Sequence, residues 1–179
     1  MPIGRRQYEP ALGFPGQRAS YQDYTHGHNT QDECINNMAT RIPFGRFVTK
    51  DASPAAIATG LPGLLALPTS VAASPVVGLA PHQGWWEASH DGVGGIPPKQ
   101  AMFYAYKGIY FVENVSAVTR TGTGIFVYNN PATPANLGKI TTVAADGVAL
   151  PAGQYRVLDA AAANGLVRIE LDLPSTLLV

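Results

Sequence analysis

Residues 103–130 read FYAYKGIYFVENVSAVTRTGTGIFVYNN. Aromatic and β-branched side chains fill three runs, Phe103–Tyr106, Ile109–Val118 and Gly124–Asn129, and such residues fit a pleated, half-buried surface. Lys107-Gly108 and Thr121-Gly122 punctuate the runs, because glycine takes positive φ without steric cost. The alternation is imperfect. Phe103/Ala105 and Tyr104/Tyr106 are apolar on both faces, and Glu113-Asn114 breaks the period. A barrel wall packed inside and against a neighbour outside produces this pattern, with a bulge near Glu113. The stretch predicts the middle of an all-β core and holds no catalytic residue.

Working outward, 179 residues suit one domain, or one domain with an appendage. Lys and Arg total 12 and Asp and Glu total 12, and charged residues make up only 13%. That balance argues against a general phosphate-binding surface, so no nucleic-acid partner is expected. Gly (19) and Pro (15) are abundant without a collagen-like period, which predicts many turns and little helix. The lone Cys34 cannot form an intrachain disulfide. The start MPIGRRQYEP has no apolar core of a signal peptide, and residues 55–80 are broken by Pro and Gly, so neither export nor a membrane partner is expected.

Residues 1–42 differ from the rest. Tyr8, Phe14, Tyr21 and Tyr24 are scattered among Gly, Pro, Arg and Gln with no period of 2.0 or 3.6. Either the segment is a disordered tail or it is an extended arm lying on another subunit. Ordering roughly 30 residues costs on the order of 30–60 kcal/mol. At about 25 cal/mol per Å² that demands over a thousand Å² of apolar burial, more than a small domain offers its own arm. Asp32 to Met38 suits a short helical turn. From residue 43 to 179 the β pattern runs: PFGRFVTKD, a Pro/Gly/Ala-rich crossing, PVVGLA, the central stretch, Lys139 to Val143, Gln154–Leu158 and Leu166–Leu173. The last alternates cleanly, with Val167, Ile169, Leu171 and Leu173 on one face.

Chemistry is sparse. His26 and His28, with Asp23, Asp32 and Cys34, form the only ligand-type cluster, but in the least patterned part of the chain, so no metal is expected. His82, Glu87, His90 and Asp91 sit in a Gly-rich loop without a nucleophile elbow or HExxH motif. Gly122-Thr-Gly124 precedes a strand instead of a helix and lacks a third glycine, so it is a turn and no nucleotide cofactor is implied. Asn114-Val-Ser116 matches a glycosylation sequon by chance. Trp85 and Trp86 are adjacent, so at most one enters the same core. The other either caps a barrel end or anchors a partner subunit or a sugar ring.

GRFVTKD, then SPVVGLA, AYKGIYFVENVSAVTRTGTGIFVYN and QYRVLDAAAANGLVRIELDL, are similar in order and rhythm to the small β-barrel cement (decoration) proteins of tailed-phage heads. The resemblance implies a non-enzymatic, cofactor-free virion protein, made in the host cytoplasm, that binds the outer capsid surface and bridges capsomers. Its implied partners are the major capsid protein and itself, commonly as a trimer, with a dimer as the alternative. The expected architecture is then an all-β, barrel or jelly-roll-like domain over 43–179, preceded by an extended arm over 1–42. Arg5, Arg6, Tyr8, Phe14, Arg18, Tyr21 and Tyr24 are the candidate capsid-binding residues of the arm. Trp85, Trp86, Tyr104 and Tyr106 are candidate subunit or partner contacts. Two rivals are a carbohydrate-binding or tail-associated module with its aromatics on one open face, and a barrel enzyme in which His82, His90 and Asp91 converge.

Overall fold

The computed structural model describes residues 15–19, 29–51, 53, 63–69, 75–82, 94–120 and 124–174. Among them the chain is β throughout, apart from two single 3-10 turns at Pro134–Asn136 and Ala144–Asp146. The strands are β1 Asn29–Asn36, β2 Phe47–Lys50, β3 Leu64–Ala66, β4 Val76–Leu79, β5 Ala101–Glu113, β6 Phe126–Tyr128, β7 Ile140–Thr141, β8 Gly147–Ala149, β9 Tyr155–Val157 and β10 Leu166–Asp172. The order β1-β3-β2-β4-β5 closes on itself, because β1 also pairs with β5. Five strands thus form a barrel with no open edge. The far half of β5 leaves the barrel and pairs with β10, which pairs with β9, while β7, β6 and β8 make a separate small sheet.

This arrangement makes two cores. Cys34, Leu65, Val48, Val77, Met102 and Tyr104, at least one from each barrel strand, meet in the barrel interior. Phe47, Leu79 and Ala105, from the outer barrel face, join Val127, Ile140, Val167, Ile169 and Leu171 in the second core. Both faces of β5 are apolar because the chain's own C-terminal half covers the outer one. The two-faced pattern therefore gives no reason to expect a trimer.

β5 is one strand where the sequence suggests two. Met102 and Tyr104 face the barrel interior and Ala105 the second core, whereas beyond Gly108 it is Tyr110 and Val112 that face the second core. The parity of core-facing positions changes across Lys107-Gly108, and Gly108 takes φ 126, a value that residues with a Cβ rarely adopt. The glycine twists the strand without ending it.

The barrel also begins earlier than residue 43. The stretch expected to hold a helical turn, from Asp32, is β strand to Asn36 and the first barrel stave. Its sequence NTQDECIN hides the period because a polar residue faces inward. Buried Asn36 donates from Nδ2 to the carbonyls of Ile96 (2.9 Å), Pro97 (3.0 Å) and Thr40 (3.1 Å), and its Oδ1 accepts from Met38 N at 3.0 Å. A fully bonded amide can sit inside a barrel without an unpaired-group penalty.

Residues 15–19 lie along the edge of β5 opposite β10. Gly16 N donates to Phe111 O (2.8 Å), Phe111 N to Gln17 O (3.0 Å) and Ala19 N to Ile109 O (2.9 Å), with Arg18 opposite Tyr110. This part of the expected arm rests on its own domain. Ordering five residues costs only about 5–10 kcal/mol, and they complete an edge that already exists. Two glycines lock this strap. Gly16 (φ 78) and Gly45 (φ 75) pack backbone to backbone, so that a Cβ on Gly45 would stand 2.5 Å from Gly16 N.

On the second layer Arg168 donates from Nε and Nη2 to the two carboxylate oxygens of Asp159 at 2.6 and 2.8 Å. These bonds, offset in part by burial, hold the Asp159 carboxyl below its ordinary value of 3.8.

Two outcomes follow from this packing. Gly45→Ala combines a positive φ with a backbone clash and is expected to destabilise the fold by about 2 kcal/mol or more, read as a shift in denaturation midpoint. For Asp159, the folded value is lowered, so its contribution is complete above the unfolded pKa and disappears as pH falls through the folded one. Asp159→Asn should cost about 1 kcal/mol near neutral pH, a small figure because Arg168 is partly exposed and solvent screens the pair. The gap between variant and parent melting temperatures should close below about pH 3.8. A gap unchanged down to strong acid would show that the pair contributes nothing.

Candidate functional site

Among the described residues no three His, Cys, Asp or Glu side chains gather as a metal site. Cys34 is 1% exposed inside the barrel. His82 lies edge-on to Phe44, with ring centroids 4.8 Å apart. Its supposed partners Glu87, His90 and Asp91 fall outside the described residues, as do Asp23, His26 and His28.

The charged groups that the fold brings together are already paired. Glu113, at the end of β5, meets Arg46 Nη2 at 2.9 Å and Lys139 Nζ at 3.6 Å, and Arg46 also donates to Leu137 O at 3.1 Å. Burial lowers the Arg46 pKa and Glu113 works against that shift. The cluster ties the barrel to the loop before β7. A groove of about 300 Å³ runs past Lys107, Gln154, Tyr155, Arg156, Glu170 and Asp172. In it Lys107 pairs with Asp172 at 3.1 Å and Arg156 with Glu170 at 2.7 Å. Such mutually neutralised pairs make a solvated face and offer no activated base.

The candidate contact residues separate sharply. Tyr104 is 0% exposed and packs against the barrel interior, with its phenol pushed up to about 12 by burial, aided by Cys34 and Tyr106. It is a core residue and not a partner contact. Gly78 makes room for it, since a Cβ there would stand 2.4 Å from the Tyr104 ring. Tyr106 is half-buried, 6.1 Å from Tyr104 between ring centroids, and packs against both cores. Arg18 is half-buried in the strap beside Tyr110. Arg5, Arg6, Tyr8, Phe14, Tyr21, Tyr24, Trp85 and Trp86 lie outside the described residues. Among those described, the exposed large hydrophobic is Val143 (44%), so they contain no open aromatic platform for a sugar.

The Gly16–Gly45 contact was not foreseen, although a signal exists. Phe14-Pro15-Gly16 and Pro43-Phe44-Gly45 are two aromatic- and proline-flanked glycines in segments otherwise short of regular pattern. Each glycine accepts a conformation that its neighbours cannot.

The chain resembles a capsid component of known structure. It aligns with a chain of the solved structure "The capsid of Myoviridae Phage XM1" at a TM-score of 0.62 and 19% identity, over 96% of this chain and 98% of that one. At that identity the likeness shows the shared fold. No curated relative matches. The family model described as "Structural cement protein (E217 gp24/Pam3 gp6)" matches residues 4–172. With nearly the whole chain covered, this protein belongs to the phage structural cement protein family, whose role is structural and in the virion.

Proposed function

We propose that the protein binds the outer surface of a tailed-phage capsid and bridges neighbouring capsomers, stabilising the DNA-filled head without catalysis. The observation that carries this is the span of the family match. It starts at residue 4, so the family's sequence pattern includes most of the arm as well as both β layers. The paired charges support the same reading, because every ion pair described has a structural partner and none is poised for chemistry.

Shell contact falls chiefly to residues 1–14, with Arg5, Arg6, Tyr8 and Phe14 as anchors. Arg18 is bound into the strap, and Tyr21 and Tyr24 lie on the short connection between the strap and β1. Residues 1–14, if extended, reach about 45–50 Å from Pro15. Trp85 and Trp86 are proposed as a second contact. A bridging protein stabilises a loaded shell by adding contacts that must break before capsomers separate, and two attachments on one body reinforce each other through effective concentration.

Truncation tests this. Removing residues 1–14 should leave the melting temperature nearly unchanged and weaken binding to empty shells by at least about tenfold. Removing 1–19 should also lower the melting temperature, because the edge of β5 loses its strap. Tyr8→Ala with Phe14→Ala should cost about 2 kcal/mol of binding if they are hot spots, and added salt should matter little. Undiminished decoration of shells by the 15–179 chain would show that the barrel, and not the arm, does the binding.

A further inference from the structure

Asn164 is the one asparagine of the chain that precedes a glycine. It is exposed in the turn that leads into β10 and takes φ 58, a left-handed value that asparagine tolerates better than most residues. The backbone around it is tied down. Gly165 N donates to Ala162 O at 3.2 Å, and Gly165 O accepts from Asn114 N at 3.2 Å. Ala162 O accepts a second bond, from Asn114 Nδ2 at 2.7 Å. Gly165 fits because it has no side chain, since a Cβ would stand 2.9 Å from Ala162 O and 3.3 Å from Asn114 Oδ1. Asn114 itself is 0% exposed. An exposed amide thus sits directly before an unshielded glycine nitrogen, and a buried asparagine distant in sequence clamps that glycine.

We propose that Asn164 is the chain's site of spontaneous deamidation, and that the Asn114 clamp sets its rate. In the first step Gly165 N loses its proton and bonds to Asn164 Cγ. The Cγ–Nδ2 bond breaks, and the amide nitrogen takes up that proton and leaves as ammonia. Water then opens the five-membered imide at either carbonyl. The product is aspartate, or isoaspartate with its backbone running through Cβ and Cγ. No other side chain takes part, and a glycine offers no Cβ to obstruct the closing ring. Ring closure requires Gly165 N to leave Ala162 O and turn onto Asn164 Cγ, so the closed turn is unreactive and the open turn reacts. Opening strips partners from the buried Asn114, and buried polar groups are expensive to leave unpaired. The product acts back on the fold. Isoaspartate lengthens the turn and draws Gly165 O away from Asn114 N, at the corner where Leu166 of β10 pairs with Glu113 of β5.

Peptide mapping by mass spectrometry decides it, on the full chain stored at neutral pH with and without denaturing urea. Conversion of amide to acid should concentrate at Asn164, and in the folded chain it should run at least about tenfold slower than in urea. Equal rates would overturn the clamp, and no conversion at Asn164 in urea would overturn the site. Asn114→Ser, too short to reach Ala162 O, should raise the folded-chain rate toward the rate in urea. An unchanged rate in the folded variant also overturns the clamp. If that variant does not fold, the parent with and without urea decides alone. Asn164→Gly keeps the left-handed turn without steric cost and removes the amide. On storage the parent's melting temperature should fall as isoaspartate accumulates, while that of Asn164→Gly should hold. An equal fall in both would show that conversion at Asn164 does not loosen the corner.

Discussion

Each peptide group along β5 needs a hydrogen-bond partner on one edge or the other, and meeting that need organises the rest of the chain. Over Ala101 to Lys107 the partners are β1 and, at Ala105, β4, and together with β2 and β3 they close the barrel. Over Lys107 to Glu113 they are β10 on one side and the strap on the other. At Ala105 and again at Ile109 and Phe111 this strand is bonded on both edges, which lessens the usual hazard of an exposed apolar strand. The two cores are coupled through it. A side chain at 104 packs the barrel and one at 110 packs the second layer, with the twist at Gly108 between them.

Where β5 ends, polar groups take over from apolar packing. Asn114 is fully buried and donates from Nδ2 to Ser116 O and Ala162 O, both at 2.7 Å, while its N–H reaches Gly165 O at 3.2 Å. An amide enclosed in this way cannot carry a glycan, so the sequon at Asn114 is a coincidence of spelling. Next to it Glu113 sits between Arg46 and Lys139. Removing the carboxylate would leave two largely buried cations facing one another, the costly way to break such a cluster. The barrel and the second layer are therefore held in register by directional bonds as well as by burial.

Much of this was legible in the sequence. The clean alternation of Leu166–Leu173 is matched by the burial of Val167, Ile169, Leu171 and Leu173. The two-faced apolar pattern of the central stretch correctly signalled a wall packed on both sides. What covers the outer side was not legible, because a pattern of hydrophobic positions does not say whether the covering surface comes from the same chain. β1 was missed for a related reason. NTQDECIN reads as polar, and only the tertiary bonds of Asn36 explain why it enters a barrel. Tyr104 looked like a contact residue because its stretch is apolar on both faces and one face was expected to need a neighbour, yet Gly78, distant in sequence, provides the room that buries it. Of the candidate site, the arm's aromatics stood out by composition. The point where the arm is fastened depends on two glycines touching across 29 positions of sequence, a contact that no local pattern encodes.

That fastening bears on how a cement protein would carry load. Were the chain pulled from ahead of Pro15, the load would enter the domain through the strap. Pulled along its own axis, a strand loads all of its cross-strand hydrogen bonds together, whereas a pull across the axis opens them one at a time. The strap has three such bonds to β5, with a fourth from His82 N to Gly16 O at the end nearest the arm. At the same end Gly16 and Gly45 pack so closely that neither has room for a Cβ. Beyond the strap the load enters β5, which is bonded on both edges and shared by both cores, so it spreads over the whole domain instead of peeling one edge. A short segment bonded along an already paired strand is suited to spreading such a load through a small neutral domain.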